Sequence, residues 1–569
     1  MQSENSNVWQ KRKNCGKIRL DYFYGEEKRK MKAMRAEKKI LSAENGMVFL
    51  VVLLLMGGFF WVRDYGISFD EGTEFNTMKL TFQYADYVIA HLLGADVVDY
   101  SGFTEYADNI YGVAVRYPLY LLAAKVPMSV RTFFLVTHYY TYFWFCGAVA
   151  ALYYLVRRIT GKKWLAALGA IMLICSPRIA GEAFYNIKDS MFFSLFLISL
   201  AAGYYYIKQR RTSGLALFTF LSALCINTRY IGGIVLLFVA LQFALGEIRK
   251  GVGIGKGIWG GLKICFLCYV FYFLMTPFLW ENPLVNTWRI IASFSDYGDG
   301  IMSMMYCGKI YFSDNLPWHY LIVWILITTP VMVTVLYLAE NAYCIKRMIS
   351  LRREGIKTFL ANEDNLFSFF VGSIVWITIA ADIILQPIKY DGWRHFYFLY
   401  GPFLFTAIMG VHHLTEWTKG QAEKTKCKTV AENVCLGMVI LSCVANFFWI
   451  VGNQPYEYLY FNPLCRGMET EFERDYWYVS TYDAVEEILR MDDSDEIQIY
   501  CVCKTVTLFL EEVELSRVEF VDDMASADYV ILQYRAATVE EWKALCENMQ
   551  MVSEKQVDGL PIYTIYSAQ

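Results

Sequence analysis

Gly46-Met-Val-Phe-Leu-Val-Val-Leu-Leu-Leu-Met-Gly-Gly-Phe-Phe-Trp-Val62 is an uncharged apolar run, and Ser68-Phe-Asp-Glu-Gly72 follows it within a few residues. A bilayer-spanning helix needs about 20 mostly apolar residues, so residues 46–62 read as a membrane span. A long charged tail precedes the run and no small-residue cleavage site follows it, so it does not read as a signal peptide. The acidic pair Asp70-Glu71 then stands just beyond the end of the span.

Working outward, the same kind of run recurs. Spans are expected near 133–156, 164–177, 190–207, 214–228, 231–246, 258–279, 318–340, 365–386, 395–413 and 431–451. With the first, they predict an all-α polytopic membrane protein of about 11 transmembrane helices. The apolar stretch at 118–128 is too short to cross and is expected to lie on or re-enter the membrane. Composition agrees: of 569 residues, 56% are hydrophobic and only 19% charged, against roughly a quarter charged in soluble proteins. The net charge of −3 gives no basic excess for nucleic acid.

Lys and Arg gather on cytoplasmic loops. The tail from Lys11-Arg12-Lys13 to Lys38-Lys39 is basic, and so are Arg157-Arg158 with Lys162-Lys163, Lys208 to Arg211, Arg249-Lys250 with Lys256, Lys346 to Lys357, and Lys419 to Lys428. These are alternate connections, which predicts a cytoplasmic N-terminus and an extracytoplasmic C-terminus in the cell membrane. The expected organisation is a basic tail at 1–45, a membrane domain at 46–452 and an extracytoplasmic domain at 453–569. The last is charged and carries short alternating runs, Glu496-Ile-Gln-Ile-Tyr-Cys-Val502 and Ala527-Asp-Tyr-Val-Ile-Leu-Gln533, with helical patterns at 483–491 and 539–549. It reads as a small α/β domain.

The unusual polar motifs fall on the outer side. They are Asp70-Glu71; Pro177-Arg178, Glu182 and Asn186-Ile-Lys-Asp189; Asn227-Thr-Arg229-Tyr230; Tyr390-Asp-Gly-Trp-Arg-His395; and the stretch from Gln454 to Pro463. Ionisable groups at membrane depth are costly and mark function. Carboxylates and cations from several loops at one face suggest an outward site for an anionic substrate. Each motif also has a plain reading. Asp70-Glu71 can cap a helix, Arg178 and Arg229 can snorkel or pair, Lys188-Asp189 can be a surface pair, and His395 can be a satisfied polar residue. His412-His413 read as interfacial. Most cysteines lie in spans as small apolar fillers, and no metal-ligand cluster is visible.

A first span followed by an outer Asp-Glu resembles the C-type (GT-C) glycosyltransferase superfamily. Within it the chain is similar to glycosyltransferase family 39, the protein O-mannosyltransferases and aminoarabinose transferases, and to a bacterial subgroup of unknown substrate. Pro177-Arg178, Asn186-Ile-Lys-Asp189, Asp391-Gly-Trp-Arg-His395, Tyr460-Phe-Asn462 and Asp475-Tyr-Trp477 carry the likeness, over about residues 46–480. Glu182 stands where that subgroup commonly has His.

The resemblance implies a GT-C fold and sugar transfer from a polyprenyl-phosphate donor to an extracytoplasmic acceptor, with inversion at the anomeric carbon. It implies Asp70 as general base, with Glu71 sharing or orienting the site. The donor phosphate would be bound by Arg131, at the start of the next long span, with Lys188, Arg229, Arg394 and His395. Arg178, Glu182, Asp189 and Asp391 would support them. No cofactor is required, and a divalent cation is left open. Expected partners are the lipid-linked donor, membrane lipid and an unidentified acceptor. The alternatives are a transporter or flippase, which the absence of visible repeats argues against, and a non-catalytic member whose outer domain binds a surface partner.

Overall fold

The computed structural model describes residues 42–95, 103, 105–293, 301–351, 355, 358, 361–419, 426–535 and 544–568. The basic tail to residue 41, part of the loop at 346–357, most of the basic loop at 419–428 and the start of the helical pattern at 539–549 lie outside the described residues. By its internal contacts the chain divides into Met1–Leu54 and Leu55–Gln569. Every element of the site lies in the second unit.

Among the described residues six helices are long and apolar enough to cross a membrane: Ser42–Asp64, Asp189–Gln209, Tyr230–Arg249, Ile254–Met275, Glu363–Leu385 and Val430–Asn453. They coincide with six of the expected spans. The other expected spans are also helical. Lys163–Ile174 and Thr212–Thr228 are short apolar helices. Val130–Thr160 is longer, begins on Ser129, whose side chain accepts from the Thr132 N–H, and ends on Gly161 in the left-handed region. That pairing of a hydroxyl N-cap with a C-terminal glycine is what helix ends favour.

Two expectations need correction. The run at 318–340 is not one helix: Tyr320–Thr328 stops before Pro330, and Val331–Ser350 starts after it. Proline disfavours helical backbone in the residue before it. The acidic pair is not in a loop. Asp70 and Glu71 open the 24-residue helix Phe69–Leu92, which the apolar pattern did not reveal because it carries polar residues along its length.

The C-terminal region holds a five-stranded mixed sheet. Val518–Val521, Ile497–Tyr500 and Tyr529–Gln533 are parallel neighbours, and the hairpin Gln550–Val557/Leu560–Ser567 adds antiparallel beside Tyr529–Gln533. The α/β expectation for this region is met, with the helix Ser480–Met491 where the sequence placed it. The hairpin was not foreseen.

Candidate active site

Three helical N-termini carry many of the charged residues of the site. Phe69–Leu92 brings Asp70, Glu71 and Glu74. Asp189–Gln209 brings Asp189, with Lys188 just before it. The 3-10 turn Arg394–Leu399 brings Arg394 and His395. Carboxylates in a first turn meet the positive end of the helix dipole, so helix starts suit Asp70, Glu71 and Asp189.

The acidic pair divides its labour. Glu71 is fully buried. Its Oε2 accepts the backbone N–H (2.7 Å) and hydroxyl (3.0 Å) of Ser68, and its Oε1 lies 2.8 Å from Nε2 of the buried His138. This is the acidic half of a capping box, so Glu71 fixes the start of the helix. Asp70 points elsewhere. Its Oδ2 accepts from Arg394 Nη1 at 2.6 Å, and a quarter of its side chain stays exposed. Among the described residues Asp70 Oδ1 has no hydrogen-bond partner.

Arg394 is the hub. It reaches Asp70, Asp391 at 3.3 Å and Asp189 at 3.8 Å, and its guanidinium lies against the rings of Tyr390 and Trp477, with centroids at 4.8 and 4.5 Å. Burial alone would lower its affinity for a proton, but Asp70 and Asp391 more than reverse that. The turn before it is shaped for this task. Asp391 and Gly392 are both left-handed, at φ 58° and 67°. A glycine meets that demand without cost. The Gly392 N–H donates to Glu473, and Asp391 thereby faces Arg394 on one side and Arg535 on the other.

On the other flank, Lys188 Nζ sits 2.6 Å from Glu74 and 4.2 Å from the Tyr111 ring centroid. Arg116 grips the same carboxylate and also donates to the Glu74 backbone carbonyl at 3.0 Å. Burial would push the Glu74 carboxyl up, yet Arg116 and Lys188 hold it at about 2. Arg229 pairs with Asp189. Asn186 explains its place in the motif: its side-chain oxygen accepts the N–H groups of Lys188 (3.2 Å) and Asp189 (2.8 Å), which aims that pair. His395 stands edge-on to Tyr390, within electrostatic reach of Arg229, Arg394 and Lys188.

The structure therefore brings together Asp70, Lys188, Asp189, Arg229, Asp391, Arg394 and His395. It places the others differently. Arg131 bonds Glu511 at 3.0 Å and the Tyr482 hydroxyl at 2.7 Å, both in the C-terminal region, and not the partners of Asp70. Arg178 and Glu182 are buried behind the site. Glu182 accepts from the hydroxyls of Tyr397 and Tyr476 and from Asn186, while Arg178 donates to the Tyr476 hydroxyl and the Tyr460 carbonyl. A side chain at Gly181 would put its Cβ 2.6 Å from Glu457 Cβ, so this short helix lies hard against the segment after the last long helix.

Sequence reasoning missed Glu74, Arg116, Glu473 and Arg535. Glu74 was findable: Asp70, Glu71 and Glu74 have the spacing of one helix face. Among the described residues no three His, Cys, Asp or Glu side chains gather as a metal site. The carboxylates of the cluster are met instead by guanidinium and ammonium groups.

No protein-family model matches the chain, and no curated protein matches it. Solved structures do. The chain is similar to ArnT. With ArnT from Cupriavidus metallidurans bound to undecaprenyl phosphate the TM-score is 0.42 at 12% identity, covering 92% of this chain and 98% of that one. With the same protein in the apo state it is 0.44, at the same identity and coverage. With arabinofuranosyltransferase AftD from Mycobacteria it is 0.37 at 11% identity, over 91% of this chain and 40% of the longer AftD chain.

Proposed function

We propose that the protein is an integral membrane glycosyltransferase that moves a sugar from a polyprenyl-phosphate donor to an acceptor hydroxyl on the outer side of the cell membrane. The observation that carries this reading is the contact between Asp70 and Arg394. One carboxylate oxygen is fixed by a buried arginine, a quarter of the side chain stays exposed, and the partly exposed Lys188 lies within electrostatic reach, with Arg229 held by the neighbouring Asp189. A positioned base next to a cationic pocket is what hydroxyl attack on a phosphate-linked sugar requires.

In this reading the acceptor O–H loses its proton to Asp70 Oδ1 as its oxygen bonds the anomeric carbon. The bond from that carbon to the phosphate oxygen breaks, and its electron pair leaves with the polyprenyl phosphate. Attack opposite the leaving group inverts the anomeric centre. Lys188 and Arg229 receive the charge that grows on the phosphate, and preorganised cations are worth most where water is excluded. Arg394 holds Asp70 aimed. His395 borders the phosphate site. In the same reading the C-terminal region lies on the outer side of the membrane with the site.

The test is transfer of radiolabelled sugar from a panel of undecaprenyl-phosphate-linked donors by the purified full chain. Transfer that Asp70→Asn abolishes is the expected result. Full transfer by that variant would remove Asp70 from the chemistry, and no transfer from any donor, with transport of the lipid into liposomes instead, would replace the enzyme by a flippase.

A further inference from the structure

Arg394 stands within ion-pair distance of three carboxylates, and only one of them is the proposed base. Its contacts are graded: Asp70 at 2.6 Å, Asp391 at 3.3 Å and Asp189 at 3.8 Å. Burial favours the other order. The Asp189 and Asp391 side chains are 1% and 5% exposed, against 25% for Asp70. Charges attract more strongly where water is excluded, so on that ground alone the guanidinium would settle on Asp391 or Asp189.

Each competitor has a cation of its own. Arg229 pairs with Asp189. Arg535 Nη2 meets Asp391 Oδ1 at 2.5 Å, a shorter contact than Arg394 makes with Oδ2 of the same carboxylate. Arg229 belongs to the site, but Arg535 comes from the C-terminal region, just past the strand Tyr529–Gln533. Its guanidinium is held there by the Tyr478 ring, 5.8 Å from the centroid, and by the Met302 sulfur at 3.2 Å. Asp391 is pinned in its turn: its backbone is left-handed at φ 58°, and the next N–H donates to Glu473. The charge of Asp391 is therefore offset in place.

We infer that Arg535 is a positioning residue: by satisfying Asp391 it leaves Arg394 to hold Asp70, so the C-terminal sheet sets the aim of the base. The inference rests on the proposed transfer for its kinetic consequence and on geometry alone for its structural one. Without Arg535, the whole charge of Asp391 falls on Arg394. The guanidinium then moves toward Asp391 and Asp70 loses its fixed oxygen, while Lys188 and Arg229 keep their own partners.

The structural test is the crystal structure of the full-length Arg535→Gln variant. Arg394 is expected within about 3 Å of Asp391 and beyond about 3.5 Å from Asp70. An Arg394–Asp70 contact that stays at 2.6 Å overturns the inference. The kinetic test uses the donor that the panel of undecaprenyl-phosphate-linked sugars identifies. Arg535→Gln should lower kcat about tenfold or more and leave the donor KM within about twofold. Arg535→Lys should restore most of the loss, because the contact runs through a single Nη2. The deciding comparison is made on Asp391→Asn, whose amide suits the left-handed turn but carries no charge. On that background Arg535→Gln should change kcat less than about twofold. A tenfold loss there overturns the inference, whether or not Arg535→Gln folds by itself. So does a loss carried by the donor KM in place of kcat. If the unaltered chain transfers no sugar, the function proposed above falls, and the crystal structure alone decides the role of Arg535.

Discussion

The motif Pro177-Arg178…Glu182…Asn186-Ile-Lys-Asp189 looks uniform on paper, yet its two halves do opposite work. Lys188 and Asp189 stand at the edge of the site, with Lys188 partly exposed and Asp189 holding the partly exposed Arg229. Arg178 and Glu182, in the short helix Pro177–Glu182 before them, are buried among Tyr397, Tyr460, Tyr476 and Asn186. The same residue types stand at a partly exposed edge in one place and form internal bracing in the other. What separates them is exposure and not charge.

The sharpest way to break that contrast is Asp70→Asn. Removing a general base costs about 10²–10⁴-fold in turnover, and the exposed carboxylate should be lost with little change in melting temperature. Glu182→Ala is the mirror experiment. It strands the Tyr397, Tyr476 and Asn186 donors and is expected to cost roughly 3 kcal/mol of stability, read by thermal unfolding. Turnover per folded molecule should be retained. If Glu182→Ala left stability intact and abolished transfer, the division between wall and brace would be reversed. Arg229→Ala should act mainly on donor use, raising the donor KM about tenfold with smaller effect on the acceptor KM. Arg131→Ala is expected to cost only about 0–1 kcal/mol and to leave donor kinetics unchanged, because Arg131 is committed to Glu511 and Tyr482. A raised donor KM there would return Arg131 to the phosphate site.

The smallest effect is one of pH. Burial pushes the Asp475 carboxyl from 3.8 up to about 7, despite hydrogen bonds from Ser480, Tyr458 and Gln533. Burial likewise raises Glu457 to about 7. A folded state that prefers the protonated acid holds its full advantage below the unfolded pKa and loses it as pH rises through the folded one. Melting temperature should therefore fall between about pH 4 and pH 7, and Asp475→Asn should flatten that fall. An unchanged slope in the variant would count against a protonated Asp475.

The sequence made most of the long apolar helices legible, because an apolar run of span length has few other readings. It also grouped most of the site, since Asp70, Lys188, Arg229 and Arg394 stand out as charges at the ends of such runs. It offered a helix start as one reading of Asp70-Glu71, which the structure bears out, but not the helix that follows, because Phe69–Leu92 mixes polar and apolar residues. It could not separate Glu71 from Asp70 either, because His138 lies 67 residues from the first and Arg394 324 residues from the second. Arg535 was invisible for the same reason: it meets Asp391 across 144 residues.

Arg535 follows the strand Tyr529–Gln533, and through Asp391 it touches the network that orients Asp70. The C-terminal sheet is for that reason a poor unit of exchange. Grafting it onto a relative, or trimming it to obtain a smaller protein for crystallisation, alters the charge balance around Asp70 even when every membrane helix is kept. Residues 391 and 535 are expected to change as a pair whenever this architecture is recombined.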